Sequence, residues 1–183
     1  AMTFAVYSGQ WLAVIGFLPV IAAQAGVSDA AVGGLTALAA AVNMVGNVAS
    51  GRLLQRGVTA PALLNIGFIV MGGAALAAFA GEAGSGASPG LRYFAVLVFS
   101  MVGGVIPATL FALAVRLAPS ENTLSTTVGW VQQWSAFGQV AGPPLVAWVA
   151  SQVGGWQWTW LATGACSILG LALVACMGAL ARR

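Results

Sequence analysis

From Asn122 to Ala181 the chain reads NTLSTTVGWVQQWSAFGQVAGPPLVAWVASQVGGWQWTWLATGACSILGLALVACMGALA, sixty residues without one charged side chain. At about 1.5 Å of rise per residue this run would make about 90 Å of helix, roughly three times the hydrocarbon thickness of a bilayer. It must fold back on itself inside lipid, and Gln152-Val153-Gly154-Gly155 is the short link at which it turns. The rest of the chain has the same character: 60% of residues are hydrophobic and 5% charged, with a mean hydropathy of +0.97. An ordinary soluble domain is about 25% charged, so soluble folds are excluded.

Working outward, charges and Gly/Pro/Ser clusters divide the chain into six apolar segments, each long enough to span: Phe4 to Gln24, Ala30 to Leu53, Ala60 to Gly81, Leu91 to Leu117, Leu124 to Ser151 and Trp156 to Ala181. Gly81 to Gly90 (GEAGSGASPG) reads as the one flexible surface loop, and no link is long enough for a soluble domain. All six basic residues are arginines, at 52, 56, 92, 116, 182 and 183, and the acids are Asp29, Glu82 and Glu121. Every one sits at or near the edge of an apolar run. Arginines follow the second, fourth and sixth segments, and only Arg92 falls on the other side, a five-to-one bias that places both termini in the cytoplasm. Trp148, Trp156, Trp158 and Trp160 then gather at the outer boundary, where indole rings anchor a span. Dispersed arginines make no basic patch, so nucleic acid is not a partner. Cys166 and Cys176 stand ten residues, about 15 Å, apart on one helix, too far for a disulfide. The first residues carry neither a positively charged leader nor a basic flank, and the expectation is a piece of a longer protein.

Hydrolytic or redox catalysis needs a tuned acid, base, metal or cofactor. The chain has no histidine or lysine and no carboxylate within a span, so it reads as neither an enzyme nor a metal or cofactor protein. A proton-coupling group, if there is one, lies elsewhere in the protein. The polar side chains inside the spans are neutral: Tyr7, Gln10, Asn43, Asn65, Gln132, Gln133 and Gln139, with Trp11, Trp130 and Trp134 beside them. An amide turned to lipid leaves donors and acceptors unsatisfied, so these should face partner helices or a water-filled cavity. Gln132, Ser135 and Gln139 share one face of the fifth segment, and Trp130, Gln133, Trp134 and Phe137 a neighbouring one. Hydrogen bonds and flat apolar surface together suit an organic solute. Gln10, Trp11, Asn43, Trp130, Gln132, Gln133 and Trp134 are the candidate cavity residues, and interhelical hydrogen bonding is the competing role for the amides. Pro19, Pro107, Pro143 and Pro144 each remove a backbone donor and bend a span, and Pro107, Gly138, Gly142 and Pro143 are the candidate flex points.

Several stretches resemble the major facilitator superfamily of secondary transporters. After the second segment, Gly46-Asn47-Val48-Ala49-Ser50-Gly51-Arg52-Leu53-Leu54-Gln55-Arg56-Gly57 resembles the family's cytoplasmic loop signature G-x-L-a-D-R-x-G. Gly51, Leu53 and Arg56 match, Gln55 stands where the acid belongs, and Gly57 comes one place early. Gly129, Gly138 and Gly142-Pro143 have the spacing of the antiporter-type signature G-x8-G-x3-G-P-x-x-G-G, with Val146 and Ala147 in place of its closing glycines. Gly103 to Ala108, followed by Leu110-Phe111-Ala112, resembles the family's tenth helix.

The resemblance implies an all-α membrane protein: six transmembrane helices, half of a twelve-helix bundle, forming one domain over residues 1–183 with inverted three-helix repeats at about 1–82 and 91–183. No arginine lies between Arg92 and Arg116, where the family's first half carries one, which favours helices seven to twelve and a missing N-terminal six-helix half as partner. The similarity is nearest to the cyanate or nitroimidazole transporter-like branch. It implies a bacterial inner membrane and alternating access to a small-molecule solute. Segments one, two, four and five would line the path, three and six would face lipid, and Gly51, Arg52, Arg56 and Gly57 would form a conformational clamp. Two other classes compete: a structural or assembly membrane protein, and the permease subunit of an ATP-driven importer, which would need a longer cytoplasmic coupling loop. A channel would need re-entrant half-helices or a filter motif, and none is seen.

Overall fold

The computed structural model describes residues 1–24, 27–80 and 88–180, and every regular element among them is helical. In chain order the helices are α1 (Met2–Gln24), α2 (Asp29–Ala41), α3 (Asn43–Gln55), α4 (Ala60–Phe79), α5 (Pro89–Gly103), α6 (Val105–Leu117), α7 (Leu124–Val153) and α8 (Thr159–Leu180). Single 3-10 turns, Glu121–Thr123 and Trp156–Trp158, lead into the last two. Residues 81–87 of the expected Gly81 to Gly90 loop, with Glu82, lie outside the described residues, as do Ala181, Arg182 and Arg183.

The eight described helices make six rods, because α2 and α3 fall within one membrane-length stretch interrupted at Val42, and α5 and α6 within another interrupted at Gly104. The second break has a local cause: Pro107 offers no N–H to the Gly103 carbonyl, and its ring crowds that carbonyl. Pro19, Pro143 and Pro144, also read as bends, lie inside unbroken α1 and α7. Among the described residues five stretches are long and apolar enough to cross a membrane: Met2–Ala23, Ala30–Gln55, Ala60–Phe79, Pro89–Leu117 and Trp156–Leu180. Helix α7, at 30 residues, is long enough but is made less apolar by its glutamines, hydroxyls and prolines.

Two links are tight turns that glycine permits. Gly57 (φ 89°) follows α3, with Val58 N donating to Leu53 O at 3.0 Å and Gly57 N to Leu54 O at 3.1 Å. Gly154 (φ 77°) follows α7, with Gly155 N donating to Ala150 O at 3.0 Å. In both the left-handed residue lets the chain reverse while the last carbonyls stay satisfied. Helices α4 and α5 open with Pro61 and Pro89 in the first turn, where a missing N–H costs nothing.

In lipid no hydrophobic force drives helices together, so close backbone approach has to hold the bundle. Helix α1 runs parallel to α7: a methyl group placed on Gly138 would collide with Ala5 O, and one on Gly142 with Gly9 O one turn further along both helices. A second parallel seam joins α3 to the α5–α6 rod, where a methyl on Gly46 would strike Met101 O and one on Gly104 would strike Asn43 O. Helices α4 and α8 run antiparallel, the Phe68 ring lying on Gly170. Phe68, Phe99, Leu64, Met71 and Ile106 fill the space between the rods and are at most 1% exposed. On α4, Ile66, Ile69 and Leu76 point outward, and on α8 Leu161, Ile168 and Leu169 do the same. Those two outer faces are mostly aliphatic, as lipid requires, with the half-buried Asn65 near the start of α4 and the exposed Cys176 on α8 as the exceptions.

Candidate functional site

Where the two broken rods cross, their breaks lie side by side and their polar groups interlock. Asn43 Nδ2 donates to Ser100 O at 2.7 Å and to Tyr7 Oη at 3.1 Å, and Trp11 Nε1 donates to Ser100 Oγ at 3.0 Å. Asn47 Nδ2 donates to both the backbone and side-chain oxygens of Asn43 at 3.0 Å. Such a bond back onto the preceding turn competes with the helix's own ladder. The break at Val42 therefore sits beside an asparagine whose side chain bonds the neighbouring rod and whose carbonyl is shared. Two turns further on, Ser50 Oγ and Thr109 Oγ1 are 2.8 Å apart, both fully buried. All these groups are neutral hydrogen-bonding atoms, suited to holding helices or an uncharged polar solute and not to proton transfer.

The second part of the site is α7. Ser135 and Gly138 are buried against α1, with Ser8 Oγ 2.8 Å from Ser135 O, and Gln139 Nε2 donates to Ser135 Oγ at 3.2 Å. The remaining circumference is exposed. Gln132, Gln133 and Gln139 lie on the outer surface of the six rods, with Gly129, Ala136 and Val140 around them. Pro143 and Pro144 leave the carbonyls four residues earlier, at Gln139 and Val140, without their helical donors. This face therefore combines three amides with two free backbone acceptors in the middle of a membrane-length helix. Trp130, Trp134 and Phe137 form an aromatic row beside it, with ring centroids 6.4 and 6.1 Å apart in turn.

The expected cavity residues therefore separate into three groups. Trp11 and Asn43, both half-buried, meet at Ser100. Trp130, Gln132 and Gln133 are exposed on α7, and Trp134 is half-buried between Trp130 and Phe137. Gln10, adjacent to Trp11 in sequence, is 1% exposed and turns toward α8, where its Oε1 accepts from Ser167 Oγ at 3.2 Å. Its Nε2, like Thr159 Oγ1, is buried without a partner. Gly51, Arg52 and Arg56 are exposed at the end of α3, and Gly57 makes the turn. Pro107 is buried in α6, while Gly138 and Gly142 are packed into the α1 seam. Ser100, Asn47 and the Ser50–Thr109 pair were not singled out from the sequence. The available signal was the spacing Asn43, Gly46, Asn47 and Ser50, one helical face of small and polar residues.

Among the described residues no three His, Cys, Asp or Glu side chains come together as a metal site. No curated protein sequence matches this chain. Among solved structures the chain is similar to the inward-open conformation of the xylose transporter XylE from E. coli, with a TM-score of 0.69 and 17% identity. That likeness covers 95% of this chain and 46% of the transporter, so the chain spans under half the transporter's length. The sequence profile of the Major Facilitator Superfamily matches residues 1–182. With its apolar helices, this multi-pass membrane chain belongs to the Major Facilitator Superfamily.

Proposed function

We propose that the chain is the C-terminal six-helix half of a secondary transporter that moves a small solute by alternating access. It would work against an N-terminal six-helix half in a bacterial inner membrane, with both termini cytoplasmic. The observation that carries this reading is the outer face of α7. Its Gln132, Gln133 and Gln139 amides and the carbonyls freed by Pro143 and Pro144 would each lose hydrogen bonds worth several kcal/mol if turned to hydrocarbon. The outer faces of α4 and α8 are mostly aliphatic, with the half-buried Asn65 on α4 as their one amide. A water-filled path between two halves accounts for the contrast.

On this reading Trp11, Asn43, Trp130, Gln132, Gln133 and Trp134 contact the solute, and Gln10 belongs to the α1–α8 joint. Gly51, Arg52, Arg56 and Gly57 form the clamp loop. Pro107, with the break at Gly104, flexes the fourth rod, and Gly138, Gly142 and Pro143 let α7 slide on α1. Inverted repeats at about 1–82 and 91–183 have two supports. The left-handed glycine turns follow the second and fifth rods, and the two parallel glycine seams join rod one to five and rod two to four. Exchanging repeats turns each of these features into its mate. The cyanate or nitroimidazole transporter-like branch is the nearest assignment within the family and rests on the loop and glycine motifs.

The test is thiol accessibility in the full-length protein in membranes, with Cys166 and Cys176 replaced by alanine. Single cysteines at positions 132 and 139 should react with a membrane-impermeant cationic thiol reagent, and those at 69 and 168 should not. If positions 132 and 139 are as unreactive as 69 and 168, the α7 face lies in lipid and the transport path is elsewhere.

A further inference from the structure

At the end of the bundle that carries the α3–α4 turn and the α6–α7 link, an open cleft of about 450 Å³ is cut between the rods. Its walls are largely apolar, built by Leu54, Val58, Pro61, Leu113 and Leu117 with Gly57 and Ala60, and its polar groups are Arg116, the one charged residue of the lining, and Thr59. A second concavity of about 240 Å³ adjoins it and shares Leu54, Ala60, Leu113 and Arg116, so Arg116 borders both. Leu117 is 72% exposed at the last turn of α6. The cleft lies where three membrane-crossing stretches stop or start, at Gln55, Ala60 and Leu117. That is the depth of the lipid glycerol and headgroup, not of the solute path.

The charge on this face is one-sided. Arg52, Arg56 and Arg116 are exposed here, and Glu121 is the one acid among the described residues of the adjoining link. Aqueous phosphate would leave the leucine walls wet, and a neutral lipid would leave the arginines without a counter-charge. A lipid that fills the walls with its glycerol and upper acyl chain, and puts a net negative headgroup on Arg116, satisfies both. The cleft is also within the range of about 300–1,000 Å³ at which small-molecule sites fall.

We propose that this cleft is a binding site for one anionic phospholipid, with Arg116 as its headgroup contact and the Leu54–Leu113–Leu117 wall as its apolar seat. The site is separate from the α7 face, and it shares Gly57 with the proposed clamp loop, so lipid retention rather than transport is the readout that tests it. Juxtamembrane basic groups and basic pockets between spans attract anionic headgroups in general, each arginine being worth about 1 kcal/mol near a charged surface. Here a cavity adds a shape to that attraction, and shape distinguishes a site from a diffuse field.

The test uses the full-length protein in neutral detergent, incubated with phosphatidylglycerol or with phosphatidylcholine of the same chains. Retained lipid is counted by native mass spectrometry, with monodispersity and circular dichroism recorded for each variant. One phosphatidylglycerol should be retained in preference to phosphatidylcholine, and inorganic phosphate should not displace it. Arg116→Gln should lower its retention about fivefold, the factor that corresponds to one arginine. Arg56→Gln, on the same face but not on the cleft, should lower it less. Thr59→Trp fills the cleft without changing charge at a helix-capping position whose side chain makes no capping hydrogen bond, and it should abolish the preference. Equal retention of the two lipids, equal losses in the Arg116 and Arg56 variants, or full retention in Thr59→Trp would each overturn the site. So would protection of the cleft by another protein segment in the lipid-free state.

Discussion

Gly138 tests whether the α1–α7 seam is held by backbone contact. A methyl group at this position would overlap Ala5 O and come within 2.7 Å of both Ala5 C and Ala5 Cα. Carbon pairs prefer about 3.5–4.0 Å, so the two helices would have to part by about 1 Å, a gap that forfeits a quarter to a half of the dispersion energy across it. The obstacle is backbone on both sides, and no side chain can rotate away. Overpacking of this kind costs about 1–3 kcal/mol, from which the helix-propensity gain of Gly→Ala, about 0.5–1 kcal/mol, must be subtracted. Gly138→Ala should therefore lose about 1 kcal/mol net. Gly129, nine residues earlier on the same helix, has nothing within 4 Å of its built methyl. Gly129→Ala should gain about 0.5–1 kcal/mol. At about 2–4 °C per kcal/mol for a chain of this size, the two variants should melt roughly 4–8 °C apart on opposite sides of the parent. Thermal unfolding in a fixed detergent, read by the seven tryptophans, measures this directly. Gly142→Ala, which strikes Gly9, should behave like Gly138→Ala. A Gly138→Ala protein that melts at or above the parent would refute a contact seam between α1 and α7.

The polar joints give smaller effects of known sign. Asn43→Leu removes the bonds to Ser100 O and Tyr7 and should lower stability by about 1–2 kcal/mol, read as a fall in melting temperature and faster amide exchange around Ser100. A double-mutant cycle of Ser50→Ala and Thr109→Ala should return a favourable coupling of about 0.6 kcal/mol, and a zero coupling would mean that their 2.8 Å approach does not hold the rods. Arg92 Nη1 donates to Ala78 O at 3.2 Å, in the last turn of α4, where carbonyls lack helical partners. Arg92→Ala should therefore cost about 0.3–1 kcal/mol, most of it retained by Arg92→Lys.

Much of the architecture was legible from residues alone. The six segments agree with the six rods to within a few residues at each described end. The links with Gly57 and Gly154 are turns because no other residue type takes their backbone conformation as readily. The position of the breaks was less legible. Pro107 marks one, but nothing in the run Ala30 to Leu53 marks Val42, because that break is made against the neighbouring rod at Gly104. The run Pro143-Pro144 reads as a bend, and it lies inside the continuous helix α7. Its effect is to free two carbonyls on the exposed face.

Membrane residence and the long apolar helices were set by the sequence itself, because the length of an uncharged apolar run against a fixed bilayer thickness is a local property that sums along the chain. Only the tertiary structure decided which way each polar group faces. Neighbouring residues on a helix point about 100° apart, so Gln10 and Trp11 part company, one to Ser167 on α8 and the other to Ser100 on α5. No count of amides could show that Ser135 is sealed against α1 while Gln132 and Gln133, on the same helix, are left open. That follows from how closely glycine lets two backbones approach, a relation between residues more than a hundred positions apart.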